Sequence, residues 1–345
     1  MEDLKGIDPM NHPYNLQFDK LIDVLNLGEI RTEPVAISGG LLHRMYSLET
    51  TSGRYAIKAL NPQIMARETA LPNYIFSEKI ANIAVNHIPA LPAKIMDDQF
   101  VHTVDNQSYL VFDWIDGYSL KSHEVNVVHC KKMGAILADI HKIDFSSIEK
   151  KMEHNDHKPV TDWNAYLRQG EAKQSDWVPL LLENINPLFI WSDKANQSSG
   201  LLAAEQVISH GDLEPKNVMW VKEHPVIIDW ESAGYRNSMT DLIETAIYWS
   251  VDGSGEIKKE RFLAFIYGYQ GEFGSLQANW RVILEHGYLG KLEWLEYSLK
   301  RSLGIESADE EEQHLGTLQV AETIHALKQY EDRISELEVW LNKEV

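Results

Sequence analysis

Ile208-Ser209-His210-Gly211-Asp212-Leu213-Glu214-Pro215-Lys216-Asn217-Val218-Met219-Trp220, followed by Val226-Ile227-Ile228-Asp229-Trp230-Glu231, is the stretch whose reading decides the fold. An apolar run ends in a polar loop carrying Asp212 and Asn217, and a second apolar run delivers another carboxylate, Asp229, at its end. Phosphoryl transfer asks little covalent chemistry of a protein, but it needs divalent ions across the phosphates and a carboxylate beside the acceptor hydroxyl. Asp212 has the chemistry for the second role. Magnesium takes hard oxygen ligands and is usually held by one or two protein groups plus phosphates and water, so the Asn217 amide oxygen and the Asp229 carboxylate suffice. Asp and Asn also fill ordinary turns by bonding their own backbone. The spaced set of polar residues between two apolar strands is what lifts this stretch above a turn.

His210-Gly211-Asp212, Asn217 five positions after the aspartate, and Ile228-Asp229-Trp230-Glu231 resemble the aminoglycoside phosphotransferase and choline kinase family, small-molecule relatives of protein kinases. The resemblance implies that Asp212 orients or deprotonates an acceptor hydroxyl, that Asn217 and Asp229 hold Mg2+, and that ATP is the donor. Protein kinases read His-Arg-Asp and Asp-Phe-Gly, with Ala-Pro-Glu beyond. Here Gly211 replaces the arginine, Trp230-Glu231 replaces Phe-Gly, and no Ala-Pro-Glu follows, so a protein substrate is disfavoured.

A chain of 345 residues exceeds the size at which single cores stop growing, so two lobes are expected. The one cysteine, Cys130, excludes an internal disulfide and suits a reducing compartment. The first residues lack the order of a signal peptide and no apolar run approaches membrane-spanning length, which makes the cytoplasm the expected location. With 52 acidic against 32 basic residues the net charge is −20, which disfavours nucleic acid and anionic membranes and favours cationic ligands.

In chain order, residues 15–25 have near-helical apolar spacing, and 35–60 read as strand, glycine turn, strand, turn and strand. By resemblance, Ser38, Gly39 and Gly40 cover the nucleotide and Lys58 contacts its phosphates. The family often carries Asn where His43 stands, and Arg44 adds charge nearby. Residues 71–85 read as a helix, and the resemblance implies that a glutamate pairs with Lys58, here Glu78 in that helix, with Glu68 before it as the competitor. The apolar strand from Gln107 resembles the hinge that reads adenine by main-chain groups, here Phe112, Asp113 and Trp114. A long helix before His141 opens the second lobe, with His141 read as structural, and Asp241 resembles the family's aspartate that braces the catalytic loop. Residues 161–204 read as helices and turns with Asp162, Trp163 and Asp176 as possible acceptor contacts, although packing is the safer reading. Helices are read around Arg261 to Tyr269 and over Trp280 to Leu303, the latter with an apolar seam at Leu292, Leu295 and Leu299. The acidic run 308–312 precedes a final amphipathic helix and reads as a solvated face or as part of a pocket for a polycation.

The fold expected is α+β and protein-kinase-like: a small antiparallel-sheet lobe with one key helix over 1–113, and a larger, mostly helical lobe over 114–345. The expected reaction is ATP- and magnesium-dependent phosphorylation of a small-molecule hydroxyl. An aminoglycoside-type antibiotic leads as acceptor, with choline, ethanolamine, homoserine or a sugar as alternatives, and a non-catalytic nucleotide-binding regulatory protein ranks behind these because Lys58, Asp212, Asn217 and Asp229 all stand.

Overall fold

The computed structural model describes residues 14–37, 42–148, 160–307 and 309–345. The turn Ser38-Gly39-Gly40 singled out above lies outside the described residues. The strands are β1 (Val35–Ile37), β2 (Arg44–Thr50), β3 (Gly53–Ala59), β4 (His102–Val104), β5 (Gln107–Asp113), β6 (Tyr118–Ser119), β7 (Gln206–Ser209), β8 (Val218–Val221), β9 (His224–Ile227) and β10 (Gly234–Asn237).

The first five form an antiparallel sheet in the order β1-β2-β3-β5-β4. Successive side chains of a strand point to opposite faces, and β3 uses both. Tyr55, Ile57 and Ala59 pack with Leu48, Tyr109 and Val111 and with Leu21 and Ile22 of the helix Phe18–Val24. Ala56 falls on the other face, in a second cluster with Leu110, Phe112, and Ala70 and Tyr74 of the helix Ala70–Ala84. Lys58 shares that second face and is 6% exposed. Alternation along one strand therefore sends an ammonium group into the protein.

The chain divides into two compact units, the described residues up to Glu124 with His210–Gly234, and Val125–Ser209 with Tyr235–Val345. The sequence reading instead drew one boundary after Asp113. Strand pairing explains the difference: β6 pairs with β8 at Tyr118↔Trp220, β8 pairs with β9, and Ile227 bridges Ala90. The Ile227 N–H also donates to Pro89 O at 2.7 Å, and the Leu91 N–H to Ile227 O at 2.8 Å. The stretch that carries the motif is hydrogen-bonded into the first unit.

The second unit is helical apart from β7 and β10, which pair. Its helix starts carry caps that the sequence displays: Asn126, Asp162, Asn237, Asn279 and Asp309 each accept backbone N–H groups of the following turn. The acidic run thus starts the helix Glu310–Glu344, where carboxylates favour the positive end of the helix dipole. Helices Val127–Lys142 and Lys259–Phe273 touch through two glycines, since a Cβ on Gly134 would lie 2.0 Å from Phe265 O and one on Gly268 2.0 Å from Lys131 O. The seam read through 280–303 is two helices, Trp280–His286 and Tyr288–Ser302. The Tyr330 hydroxyl donates to Leu284 O at 2.5 Å, and a Cβ on Gly287 would meet that hydroxyl, so the break is set by the final helix. No helix among the described residues is long and apolar enough to cross a membrane.

Candidate active site

The His-Gly-Asp loop is shaped by its glycine. Gly211 has φ +81°, a left-handed conformation that a side chain would strain, which accounts for glycine where protein kinases carry arginine. The turn lets the Asp212 N–H donate to His210 Nδ1 at 3.2 Å. With Nδ1 accepting, the ring proton sits on Nε2, which donates to Ile228 O at 3.0 Å. His210 is fully buried, edge-on to Trp230 with centroids 4.7 Å apart. It fastens the loop to the strand end that carries Asp229.

Asn217 closes the loop. Its Nδ2 donates to Asp212 O at 2.8 Å and to Asp212 Oδ2 at 2.9 Å, and its carbonyl accepts the Ile228 N–H at 3.0 Å. Spending the amide nitrogen on Asp212 leaves Asn217 Oδ1 as a hard oxygen donor with no hydrogen bond among the described residues. Burial and the neighbouring Glu214 push Asp212 up to about 7, against the pull of Lys216 and His210. Lys216, unremarked in the sequence reading, lies 3.8 Å from Asp212 Oδ2 and 3.4 Å from Glu214.

Asp229 sits in the left-handed region at φ +64°, which Asp tolerates better than most residues, and the chain then turns through Trp230–Ser232. The turn brings two carboxylates to one ammonium: Lys58 Nζ donates to Asp229 Oδ1 at 2.5 Å and to Glu231 Oε2 at 3.0 Å. Burial works against the charge on Lys58, but Asp229 and Glu231 outweigh it and hold the ammonium above its ordinary value. Burial likewise opposes the charge on Glu231, and Lys58 and His43 hold it well below the usual carboxylate range.

The sequence reading paired Lys58 with Glu78, and the structure does not. Glu78 is 2% exposed and accepts the Ala93 N–H at 2.7 Å. Burial pushes it up to about 7 although the Ala93 N–H and Lys58 draw it down. Docking of the helix Ala70–Ala84 offers that carboxyl a backbone donor, while the turn after Asp229 fills the space at the lysine. Glu68, the competitor, is exposed on a turn. At the hinge stretch the Trp114 N–H is already given to Arg54 O at 3.1 Å, Phe112 is buried in the core, and Asp113 pairs with Lys94 at 2.7 Å.

Two residues without an assigned sequence role join this cluster. His43 Nε2 lies 3.4 Å from Glu231 Oε2 and 2.5 Å from the Tyr74 hydroxyl, and Glu231 itself follows Asp229 by two positions. The only sequence signals were a histidine where the resembled family often has asparagine and a second acid just past a ligand-type aspartate. In the second unit, Asp162 caps a helix, Trp163 is fully buried and donates to Ser192, and Asp176 is exposed. His141 and Asp241 pair at 3.0 Å, and Ser209, directly before the His-Gly-Asp loop, donates to Asp241 at 2.6 Å.

A family profile described as "Phosphotransferase enzyme family" matches residues 33–286. The chain belongs to this family. As a member it is a small-molecule phosphotransferase, and its motifs take their place in an α+β, protein-kinase-like fold. Among solved structures it is similar to a spectinomycin phosphotransferase in complex with ADP and spectinomycin, at 15% identity over 90% of this chain and 98% of that one, with a TM-score of 0.64. It is similar to the choline kinase of Cryptosporidium parvum at 13% identity over 94% and 99% of the two chains, TM-score 0.63. A microcompartment-associated aminopropanol kinase aligns at 13% identity over 92% and 98%, TM-score 0.63. No curated protein matches the sequence.

Proposed function

We propose that this phosphotransferase uses ATP with Mg2+ to phosphorylate a hydroxyl of a cationic small molecule, an aminoglycoside-type antibiotic first and an amino alcohol second. The observation that carries the reading is the buried ammonium of Lys58 meeting Asp229, a residue 171 positions away, beside a loop in which Asn217 holds the Asp212 carboxylate. A lysine buried on a strand is costly unless something charged is meant for it. The donor set suits magnesium: the Asn217 oxygen and the Asp229 carboxylate are hard ligands, fixed within one loop-and-strand unit. Bound there, the ion would neutralise charge on the phosphates.

The chain's own residues do the rest. Lys58 supplies a point charge for the phosphates. Asp212, its carboxylate oriented by Asn217, accepts a hydrogen bond from the acceptor hydroxyl and takes its proton late, as a loose transition state allows. His210 keeps this loop in register with Asp229. A cationic acceptor accords with the net charge of −20 and with the amino-bearing compounds named for the similar structures. Metabolite acceptors without a net positive charge, homoserine or a sugar, stand behind both. The cytoplasm is the proposed site of action.

A coupled ADP-release screen with magnesium across aminoglycosides, amino alcohols, macrolides and sugars tests this. At least one cationic hydroxyl compound should stimulate release well above the ATPase background. Silence across the panel with tight ATP binding would replace this reading with a non-catalytic nucleotide sensor.

A further inference from the structure

We infer that Glu231, backed by His43, is the residue that positions the Lys58 ammonium for the nucleotide phosphates, in place of the helix residue Glu78. The inference rests on the nucleotide reading above and names who holds its lysine. Glu231 Oε2 accepts from Lys58 Nζ at 3.0 Å, whereas the Glu78 carboxylate is engaged by the Ala93 N–H at 2.7 Å. Asp229 also contacts Lys58, but it is the carboxylate assigned to the metal, and a group that turns to a cation on nucleotide binding cannot be the lysine's lasting partner. Glu231 lies beyond the left-handed turn at Asp229, on a segment anchored by Trp230, which is 2% exposed.

His43 makes Glu231 a fixed post. The Asn61 N–H donates to His43 Nδ1 at 2.9 Å, so the ring proton is on Nε2, the atom that faces Glu231 Oε2 at 3.4 Å and the Tyr74 hydroxyl at 2.5 Å. His43 is 4% exposed and Tyr74 7%, with ring centroids 5.7 Å apart, so neither swings away to water without breaking that buried contact. The Tyr74 hydroxyl and the Glu231 carboxylate thus meet at the one Nε2–H edge of His43, and the carboxylate in turn holds the ammonium. Removing Glu231 would leave Lys58 with Asp229 alone, drawn onto the group that must release it. A metal-ligand role for Glu231 is the competing one, and the two separate when no metal is present.

The experiment is calorimetric binding of ADP to the full chain in EDTA, with Lys58→Ala defining complete loss of the lysine contact. Glu231→Gln should weaken metal-free ADP by at least fivefold and reproduce most of the Lys58→Ala loss, while Glu78→Gln stays within twofold of wild type. His43→Ala should lose about threefold and His43→Gln, which returns an N–H near the Nε2 position, should recover most of it. Melting curves within a few degrees of wild type show that each variant is folded. Wild-type-like ADP binding by Glu231→Gln, or a larger loss in Glu78→Gln, overturns the inference while the nucleotide reading stands. A wild type that binds no ADP in EDTA overturns this inference, and one that binds none with Mg2+ either sinks the nucleotide reading as well.

Discussion

Each unit buries an acid and a base together, and the two clusters differ in what is left open. In the second unit, Asp241 is 3% exposed and every contact closes on it: His141 at 3.0 Å, Ser209 at 2.6 Å and Arg236 at 3.3 Å, with Tyr269 on the far nitrogen of His141 at 2.8 Å. In the first, Lys58 is equally hidden, but the side chains of Asp229 and Glu231 are 26% and 20% exposed. The closed cluster has no coordination left to offer. The open one pairs a buried cation with partly exposed anions, which is what the proposed phosphate contact requires. Coverage of the partner, more than burial of the charge, separates the two clusters.

The comparison can be broken by replacing one acid from each side. Asp229→Ala should lower turnover by about a thousandfold or more, since metal and lysine both lose their carboxylate, with a modest effect on melting. Asp241→Asn should do the reverse in kind, costing about 3–5 kcal/mol of stability because His141 and Arg236 are left facing an uncharged partner. Steady-state kinetics and denaturant unfolding on both variants check the pair, and a stable but inactive Asp241→Asn would merge the two clusters into one functional unit.

Titration sharpens it. His141, Arg236 and Ser209 overcome burial and lower Asp241 to about 2. The unfolded carboxyl binds a proton near 4 and the folded one only near 2, so the stability this cluster adds is whole above pH 4 and lost as pH falls from 4 toward 2, on the order of 2 kcal/mol. The fall in stability between pH 4 and pH 2 should therefore be smaller in Asp241→Asn than in wild type. Glu78 runs with the opposite sign: raised to about 7, it binds more protons folded than unfolded between about pH 4.5 and 7, so it costs stability as pH rises through that window. Glu78→Gln should therefore melt a few degrees above wild type at pH 8 and show little difference at pH 4.5.

Much of this was legible because chemistry and spacing coincide. The loop from His210 to Asn217 needs those residue types at those positions, and Lys58 announces itself as a cation on an apolar strand bounded by a glycine turn. The sheet, the helix Ala70–Ala84 and the helical second unit follow the periodicity, and the α+β class follows from them. Partner choice did not follow. Whether Lys58 meets Glu78 or Glu231 depends on how one helix docks and which carboxyl finds the Ala93 N–H, and no local pattern encodes that. The break at Gly287 was hidden for the same reason, since its cause, Tyr330, lies on another helix. The tie of the motif stretch to the first unit runs through a two-residue strand, β6, too short to show a period in the sequence.

The most direct measurement is turnover of Asp212→Ala on the best acceptor of the screen, with ADP affinity measured alongside. Turnover should fall by about a hundredfold to ten-thousandfold while ADP affinity stays within about twofold of wild type. Turnover within tenfold of wild type would contradict the account, because the carboxylate that Asn217 holds in place would then have no part in moving the hydroxyl proton.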